Sequence, residues 1–314
     1  MKYGILLTPH RYGGAIPILE VLYSVTVWFP TIYKKGKGLD QKVEGKDGEN
    51  KEEFDERSME EKELIIHSQP IIKALREIVD YYPGQSLLGD TLSIKEPFSI
   101  LVHFRKELQE YKDDSEDDET KHHIEVLLKY LQDNLGEKIL LEDQRYVKAT
   151  PVATFEMLWM LYKPGMDVYA NIDDQRGGFV VQSCVNVTEN AKFGRPMPLK
   201  VMMWYLDYDG RMMGRRPYEM SIIPFEGERE IASLKVVPAA FVDSIDPAPR
   251  KKLEDRGEKF YGMLLGKQMD YKGFSMVAKQ KPKRYHEGRV IVDQGAFYTY
   301  AHWSETDLNP CPNL

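Results

Sequence analysis

The chain has 314 residues, 42% of them hydrophobic, and a net charge of −7, a composition typical of a globular protein with a full core. The acidic balance argues against nucleic-acid binding by the whole chain, because such proteins are usually basic. The two cysteines, Cys184 and Cys311, match neither a disulfide framework nor a zinc motif, so a reducing compartment, cytoplasmic or nuclear, is expected.

The N-terminal residues predict an apolar start followed by a polar linker, together residues 1–63. Residues 14–33 are apolar, but Pro17, Glu20 and Pro30 interrupt them, so they favour a buried strand pair over a membrane span. No cleavage site of a signal peptide is visible, and secretion is not expected. Residues 34–62 are polar, glycine-rich and acidic, which is typical of a disordered linker.

Residues 64–150 predict a helical layer. Apolar side chains at helical spacing indicate helices over residues 68–82, 98–111 and 120–135. Ser68 is a suitable N-cap for the first helix, and Pro70 suits its first turn. Gly136 stands where a glycine commonly ends a helix, and so predicts the end of the third.

Residues 151–245 carry the strand signals around which the chain is organised. Strands are predicted over residues 168–172, 179–187, 201–208, 211–215, 218–223 and 231–237, with a polar loop at 173–178. Asp209-Gly210 is a strong hairpin signal, since Gly tolerates positive φ. Residues 201–208 are apolar on both faces, so this strand is expected to be covered on both sides and Trp204 to be buried, with Trp204→Ala costing roughly 3–5 kcal/mol.

These patterns predict an α+β fold in which a small antiparallel, SH3-like and partly closed β-barrel packs with flanking helices. The final region, residues 246–314, is expected to pack on this barrel. Asp246-Pro247 predicts a helix start, and the helix is expected to run to about Tyr271. Residues 274–278 and 289–293 predict a last pair of strands.

Glu226, Glu228, Arg229 and Glu230 surround Gly227 and form the first candidate site. Glu226, Glu228 and Arg229 are predicted to be exposed at one end of the barrel, because three charges within four residues are costly to bury unpaired. The cluster is interpreted either as a recognition loop, or as carboxylates for acid–base chemistry, or as a hairpin connection whose charges satisfy one another in solvent. The structural interpretation is favoured, and charge reversal at Glu226 and Glu228 is expected to leave folding nearly intact.

The second candidate is a basic loop containing Lys279, Lys281, Lys283 and Arg284. It could contact nucleic acid or act as an import signal, although a solvated turn is the favoured interpretation. The chain has no phosphate-binding loop, no dinucleotide fingerprint and no zinc-protease, serine-hydrolase or CxxC motif. No enzyme activity and no cofactor are therefore predicted.

Several segments carry a family resemblance, among them FEMLWMLYKPG, WYLDYDGRMMGR, IIPFEGEREIASLKVVP and LEDRGEKFYGMLLG. They resemble the domain of unknown function that precedes the ATPase core in fungal AAA-type ATPases. The resemblance covers roughly residues 64–300, and PFEGEREI and GRVIVD are its most specific pieces. The first sixty residues do not carry it.

The resemblance implies association with an AAA-type ATPase assembly, but not ATP hydrolysis by this chain. The sequence stops at Leu314, shortly after the point where the ATPase module would begin, and no catalytic residue can be carried over. A truncation or an altered gene end is one interpretation of the last residues.

The predicted function is therefore a non-catalytic recognition or regulatory module with a protein partner. Nucleic-acid and membrane partners are not expected, and a small-molecule ligand stays open. The alternatives are an enzyme of unfamiliar type that uses Glu226, Glu228 and Glu230, and a nucleic-acid-binding β-barrel.

Overall fold

The structure is a computed structural model that describes residues 2–6, 10–12, 17–28, 57–172, 175–186, 197–274, 285–301 and 309–310. The chain divides into two compact units where the sequence predicts four regions. The N-terminal unit comprises Met1–Asp80 and Gln85–Asn134, and the C-terminal unit comprises Tyr81–Gly84 and Leu135–Leu314. Helices and antiparallel strands are mixed in the chain, which confirms the predicted α+β class.

The N-terminal unit contains a five-stranded antiparallel sheet. Its strands are β1 (Lys2–Leu6), β2 (His10–Tyr12), β3 (Leu19–Trp28), β4 (Arg57–Ile66) and β5 (Leu92–Lys95). They follow the order β1-β3-β4-β5, with β2 also beside β3. The prediction of a linker is wrong over residues 57–62, because β4 begins at Arg57. The first half of β4 is charged, and the apolar alternation typical of a strand is clear only at Leu64 and Ile66, which are buried. The rest of that linker, 34–56, lies outside the described residues.

Four helices follow β4 in sequence, the first of them before β5. They are α1 (Gln69–Ile78), α2 (Ser99–His103), α3 (Arg105–Asp114) and α4 (Asp118–Tyr146). The Ser68 cap is confirmed, since its Oγ accepts the Ile71 N–H at 3.2 Å. The single helix predicted at 98–111 is two helices, because Phe104 leaves helical geometry between them. The helix predicted to end at Leu135 continues through Gly136, whose propensity cost of about 1 kcal/mol does not stop it.

The C-terminal unit is built on a six-stranded antiparallel sheet in the order β12-β7-β8-β9-β10-β15. These strands are β7 (Asp167–Ile172), β8 (Gln175–Asn186), β9 (Leu199–Tyr208), β10 (Met213–Ile222), β12 (Val236–Pro238) and β15 (Asn309–Pro310). Among the described residues the sheet is an open path, so the SH3-like barrel stays a prediction. The outermost strand β15 pairs with β10 only at Gly214 and Arg215.

Smaller elements complete this unit. Two short antiparallel pairs join β6 (Val152–Thr154) to β11 (Glu228–Glu230), and β13 (Lys267–Phe274) to β14 (Tyr285–Val292). The helices are α5 (Ala239–Asp243), α6 (Ala248–Tyr261) and α7 (Gln294–Ala296), with 3-10 turns at Leu158–Leu161 and Ile231–Ser233 and a π-turn at Phe297–Ala301. No helix in the described part of the chain has the length and apolar character needed to cross a membrane.

Several boundaries differ from the predicted ones. The hairpin at Asp209-Gly210 is confirmed, with Gly210 at φ 95°, but β10 is one strand instead of the two predicted. The predicted strand at 231–237 is a 3-10 turn followed by β12. The helix expected to reach Tyr271 ends at Tyr261, and β13 occupies the sequence that follows.

One face of β9 forms the core of the sheet, and the other is only partly covered. Val201 and Met203 are fully buried, whereas Leu206 is 45% exposed. Trp204 is half-buried, so the prediction that it is buried between two covered faces is wrong. The strand is apolar on both faces, but no second layer of side chains covers the face that carries Trp204 among the described residues. The Arg215 guanidinium, 4.4 Å from the centroid of the indole ring, covers only one side of it.

Candidate functional site

The predicted recognition loop lies on β11 and the turn before it. β11 pairs with β6, which places Glu228 opposite Thr154 and Arg229 opposite Ala153. Glu226, Glu228 and Arg229 are exposed, as predicted, and Glu230 is exposed as well. The segment is therefore one strand of a small two-stranded sheet and not a free hairpin loop.

Ion pairs from the last turn of α4 and from the segment directly after it hold Glu228 in place. Arg145 Nε donates to Glu228 Oε1 at 2.9 Å, and Lys148 Nζ donates to Oε2 at 2.8 Å. The two cations, Lys148 first, hold the pKa of Glu228 below its ordinary value. The prediction that the loop's own charges satisfy each other is thus wrong for Glu228, whose partners are Arg145 in α4 and Lys148 just after it.

Glu142 anchors the same contacts from inside the protein. Its side chain is fully buried and accepts the Thr154 N–H at 2.8 Å, the Thr154 hydroxyl at 3.0 Å and the Arg145 Nη1–H at 2.8 Å. Arg145 therefore bridges a buried carboxylate and the exposed Glu228. We call Glu142, Arg145, Lys148 and Glu228 the charged corner; it fastens α4 to β6 and β11.

The remaining charges of the predicted loop have other surroundings. The Arg229 guanidinium lies over the Phe225 ring at 4.1 Å, and Phe225 meets Phe155 edge-on. Glu226 and Glu230 make no ion pair with a described residue. The second predicted site, Lys279 to Arg284, lies outside the described residues.

The structure places a pocket of about 480 Å³ in the same unit, between the sheet and the α5–α6 region. The registers of β12, β7 and β8 build its floor. Asn171 pairs with Arg176 on β8, and Val236 pairs with Ala170, so Lys235, directly before β12, falls beside Asn171. Arg176, Asn171 and Lys235 therefore form one row across three strands, on one face of the sheet. We call this row the polar rim.

The next row on the same face is apolar. Tyr169 and Val237 are opposite each other in the β7–β12 register, two residues further along each strand, and both are buried. Above them lie α5 and the start of α6. The apolar side chains that complete the pocket are Leu234, Phe241, Val242, Ile245 and Pro249. The α5–α6 pocket thus has a cationic rim and an apolar interior.

The cations of the polar rim have no carboxylate partner among the described residues. The Arg176 guanidinium lies 5.9 Å from the centroid of the Tyr169 ring, and neither Arg176 nor Lys235 forms an ion pair with a described residue. Asp246 also lines the pocket, but its Oδ1 accepts the Ala248 N–H at the start of α6. Asp173 and Asp174 lie outside the described residues. The described rim carries excess positive charge, in a chain whose net charge is −7.

A partly buried hydrogen-bond network fixes the helices above the floor. The Tyr169 hydroxyl donates to Asp243 Oδ1 at 2.7 Å, and Arg250 Nε donates to Asp243 Oδ2 at 2.7 Å. Arg250 Nη2 also reaches Asp167 Oδ2 at 3.1 Å. Burial, and then the bond to Asp243, raises the pKa of Tyr169 to about 12. The network ties α5, α6 and β7 together, so the pocket is held open by fixed elements.

A second groove, of about 380 Å³, lies between α6 and the outer sheet face. Trp204, Leu206 and Leu253 line it, and its cation Arg250 is already paired with Asp167 and Asp243. It therefore offers apolar contact without a spare cation among its described lining residues. No cluster of His, Cys, Asp or Glu suited to a metal ion is found in the described part of the chain.

Sequence reasoning missed the residues of the α5–α6 pocket. The sequence predicts Arg176 in a polar loop, although it lies in β8, and Lys235 within a longer strand, although it directly precedes β12. Alternation along single strands could have placed Tyr169 and Asn171 on one face. It could not give the β12-β7-β8 order that brings Arg176 and Lys235 to the same row.

Comparison with known proteins gives one partial match. Residues 143–243 match the model of a family described as a domain of unknown function, DUF7025. The matched segment includes Arg145 and Glu228 of the charged corner and the floor of the α5–α6 pocket, and ends with α5. No curated protein matches the chain, and no solved structure matches it.

Proposed function

We propose that the chain is a non-catalytic recognition module that binds a segment of a partner protein in the α5–α6 pocket. The observation that carries the proposal is the pairing of an apolar interior with two cations that no described carboxylate neutralises. Pockets of this size with few polar groups around an apolar floor are typical binding sites. The resemblance to the domain before fungal AAA-type cores supports a partner that belongs to such an ATPase assembly.

The enzyme alternative, based on Glu226, Glu228 and Glu230, has less support. Neither of the two pockets described above is lined by these residues. Glu228 is paired with two cations and has a lowered pKa, which makes it a weak general base. The nucleic-acid alternative depends on a basic loop outside the described residues, and the net charge opposes it.

The proposal is tested by selecting peptides from a random display library on the whole chain. Ile245 lines the pocket and is 78% exposed, so Ile245→Glu is expected to block the pocket while leaving the fold intact. Ile223→Glu is the matched control, because Ile223 is 62% exposed and lines neither described pocket. We expect peptides that bind the wild type and the control but not Ile245→Glu. A library that yields no peptide with this dependence would refute the proposal.

A further inference from the structure

The charges of the polar rim indicate which kind of peptide segment the α5–α6 pocket binds. Resting on the proposed function, we infer that the α5–α6 pocket binds an acidic peptide segment in which a carboxylate lies within two residues of a bulky apolar side chain. Arg176 and Lys235 would bind the carboxylate, and the apolar interior would take the neighbouring side chain.

The donors of the rim suit a carboxylate by type and by spacing. Arg176 presents a planar fork of N–H groups, Lys235 a compact positive charge, and Asn171 an amide donor between them. Adjacent strands lie about 4.8 Å apart, so the Cα atoms of Arg176 and Lys235 are roughly 10 Å apart. Both side chains are long enough to reach a carboxylate above Asn171. Charge-assisted hydrogen bonds of this kind are about twice as strong as neutral ones.

The apolar interior sets the second requirement. Tyr169 and Val237 lie two residues along their strands from the rim, a distance of about 7 Å. An extended peptide spans the same distance in two residues. A large apolar side chain one or two positions from the carboxylate can therefore reach the accessible apolar lining, Phe241, Val242 and Ile245. A peptide with acidic residues alone would leave these three side chains uncovered.

The peptides selected in the display experiment provide the test. We expect them to be enriched in Asp or Glu next to Leu, Ile, Phe or Trp. Replacing the acidic residue of a synthetic selected peptide by its amide, Asp by Asn or Glu by Gln, is expected to weaken binding at least tenfold in fluorescence polarisation. The R176E/K235E double variant is expected to lose binding to a similar extent.

A double variant with the same change in net charge serves as control. Arg211 and Lys252 are exposed, have no ion pair with a described residue and line neither described pocket. R211E/K252E is therefore expected to bind like the wild type, and circular dichroism of both double variants checks that they are folded. Equal weakening by both double variants would assign the effect to overall charge and would overturn the inference.

Three further outcomes would overturn the inference. Selected peptides could be neutral or basic, the amide peptide could bind as tightly as the acidic one, or octanoate could displace the peptides at equal or lower concentration. The last result would assign the pocket to a free carboxylic acid. If selected peptides require Ile245 but not the acidic residue, only this inference fails. If no peptide requires Ile245, the proposed function fails with it.

Discussion

Replacing Glu142 by Ala is expected to destabilise the C-terminal unit by about 3–4 kcal/mol. The fully buried carboxylate accepts two hydrogen bonds from Thr154 and one from Arg145. Hydrogen bonds to a charged group contribute roughly 1.5–3 kcal/mol each, and a donor left unpaired costs about 1–3 kcal/mol. Arg145 keeps Glu228 as a partner, so the upper limit of about 5 kcal/mol for a broken buried ion pair is not expected.

Urea denaturation followed by tryptophan fluorescence measures this loss. A W28F/W303F background leaves Trp159 and Trp204 as the only tryptophans, so fluorescence excited at the red edge of the indole band reports the C-terminal unit. The matched control is Glu156→Ala, because Glu156 is 68% exposed and its ion pair with Lys138 is expected to contribute less than about 1 kcal/mol.

The two substitutions separate the effect of burial from the effect of charge. Equal losses for Glu142→Ala and Glu156→Ala, both below about 1 kcal/mol, would refute the reasoning. A loss near 3 kcal/mol for Glu142→Ala alone would establish that the charged corner depends on its buried member.

Three more predictions concern single side chains. Glu228→Gln is expected to lower the free energy of unfolding at pH 7 but not in acid. The lowered pKa of Glu228 stabilises the fold above the ordinary carboxyl value of 4.5, and this stabilisation is lost as pH falls through the folded-state pKa. The control, Glu226→Gln, is expected to leave the free energy of unfolding unchanged at both pH values. The pKa of Tyr169 is raised to about 12, so its contribution to stability is complete below pH 10 and is lost as pH rises through 12. Tyr169→Phe is therefore expected to make the free energy of unfolding fall less steeply between pH 10 and 12. An unchanged slope would contradict the raised pKa of Tyr169. Trp204→Ala is expected to lower the free energy of unfolding by roughly 1.5–2.5 kcal/mol in thermal or urea denaturation. This is less than for a buried ring, because Trp204 is half-buried against Arg215. A loss above about 4 kcal/mol would mean that the outer face of β9 is covered.

The sequence predicts correctly those features that depend only on residues close together in the chain. The Ser68 cap, the Asp209-Gly210 turn and the exposed charges around Gly227 are set by their nearest neighbours in the chain, and the structure confirms them. The end of α4 was missed at Gly136, because tertiary contacts override a weak propensity. One such contact is made by the buried Glu142, which follows Gly136 in the same helix.

Features that depend on strand order could not be predicted in this way. The polar rim requires β12 beside β7 and β7 beside β8, although Lys235 and Arg176 are far apart in sequence. The partners of Glu228 likewise come from Arg145 and Lys148, about eighty residues earlier. Hydrophobic alternation reports which face a residue lies on, but not which strand lies next to it.

The outer side of β10 bears on self-association. Beyond Gly214 and Arg215, where β15 pairs with it, β10 has no second neighbour among the described residues. An unpaired strand is a template on which another copy can extend the sheet. Pro217 lacks an N–H group, and Arg216 and Glu219 add charge, which are common protections against such pairing. Pro217→Val would restore an N–H group in the middle of this strand, and it is therefore expected to raise the apparent mass at high concentration in light scattering.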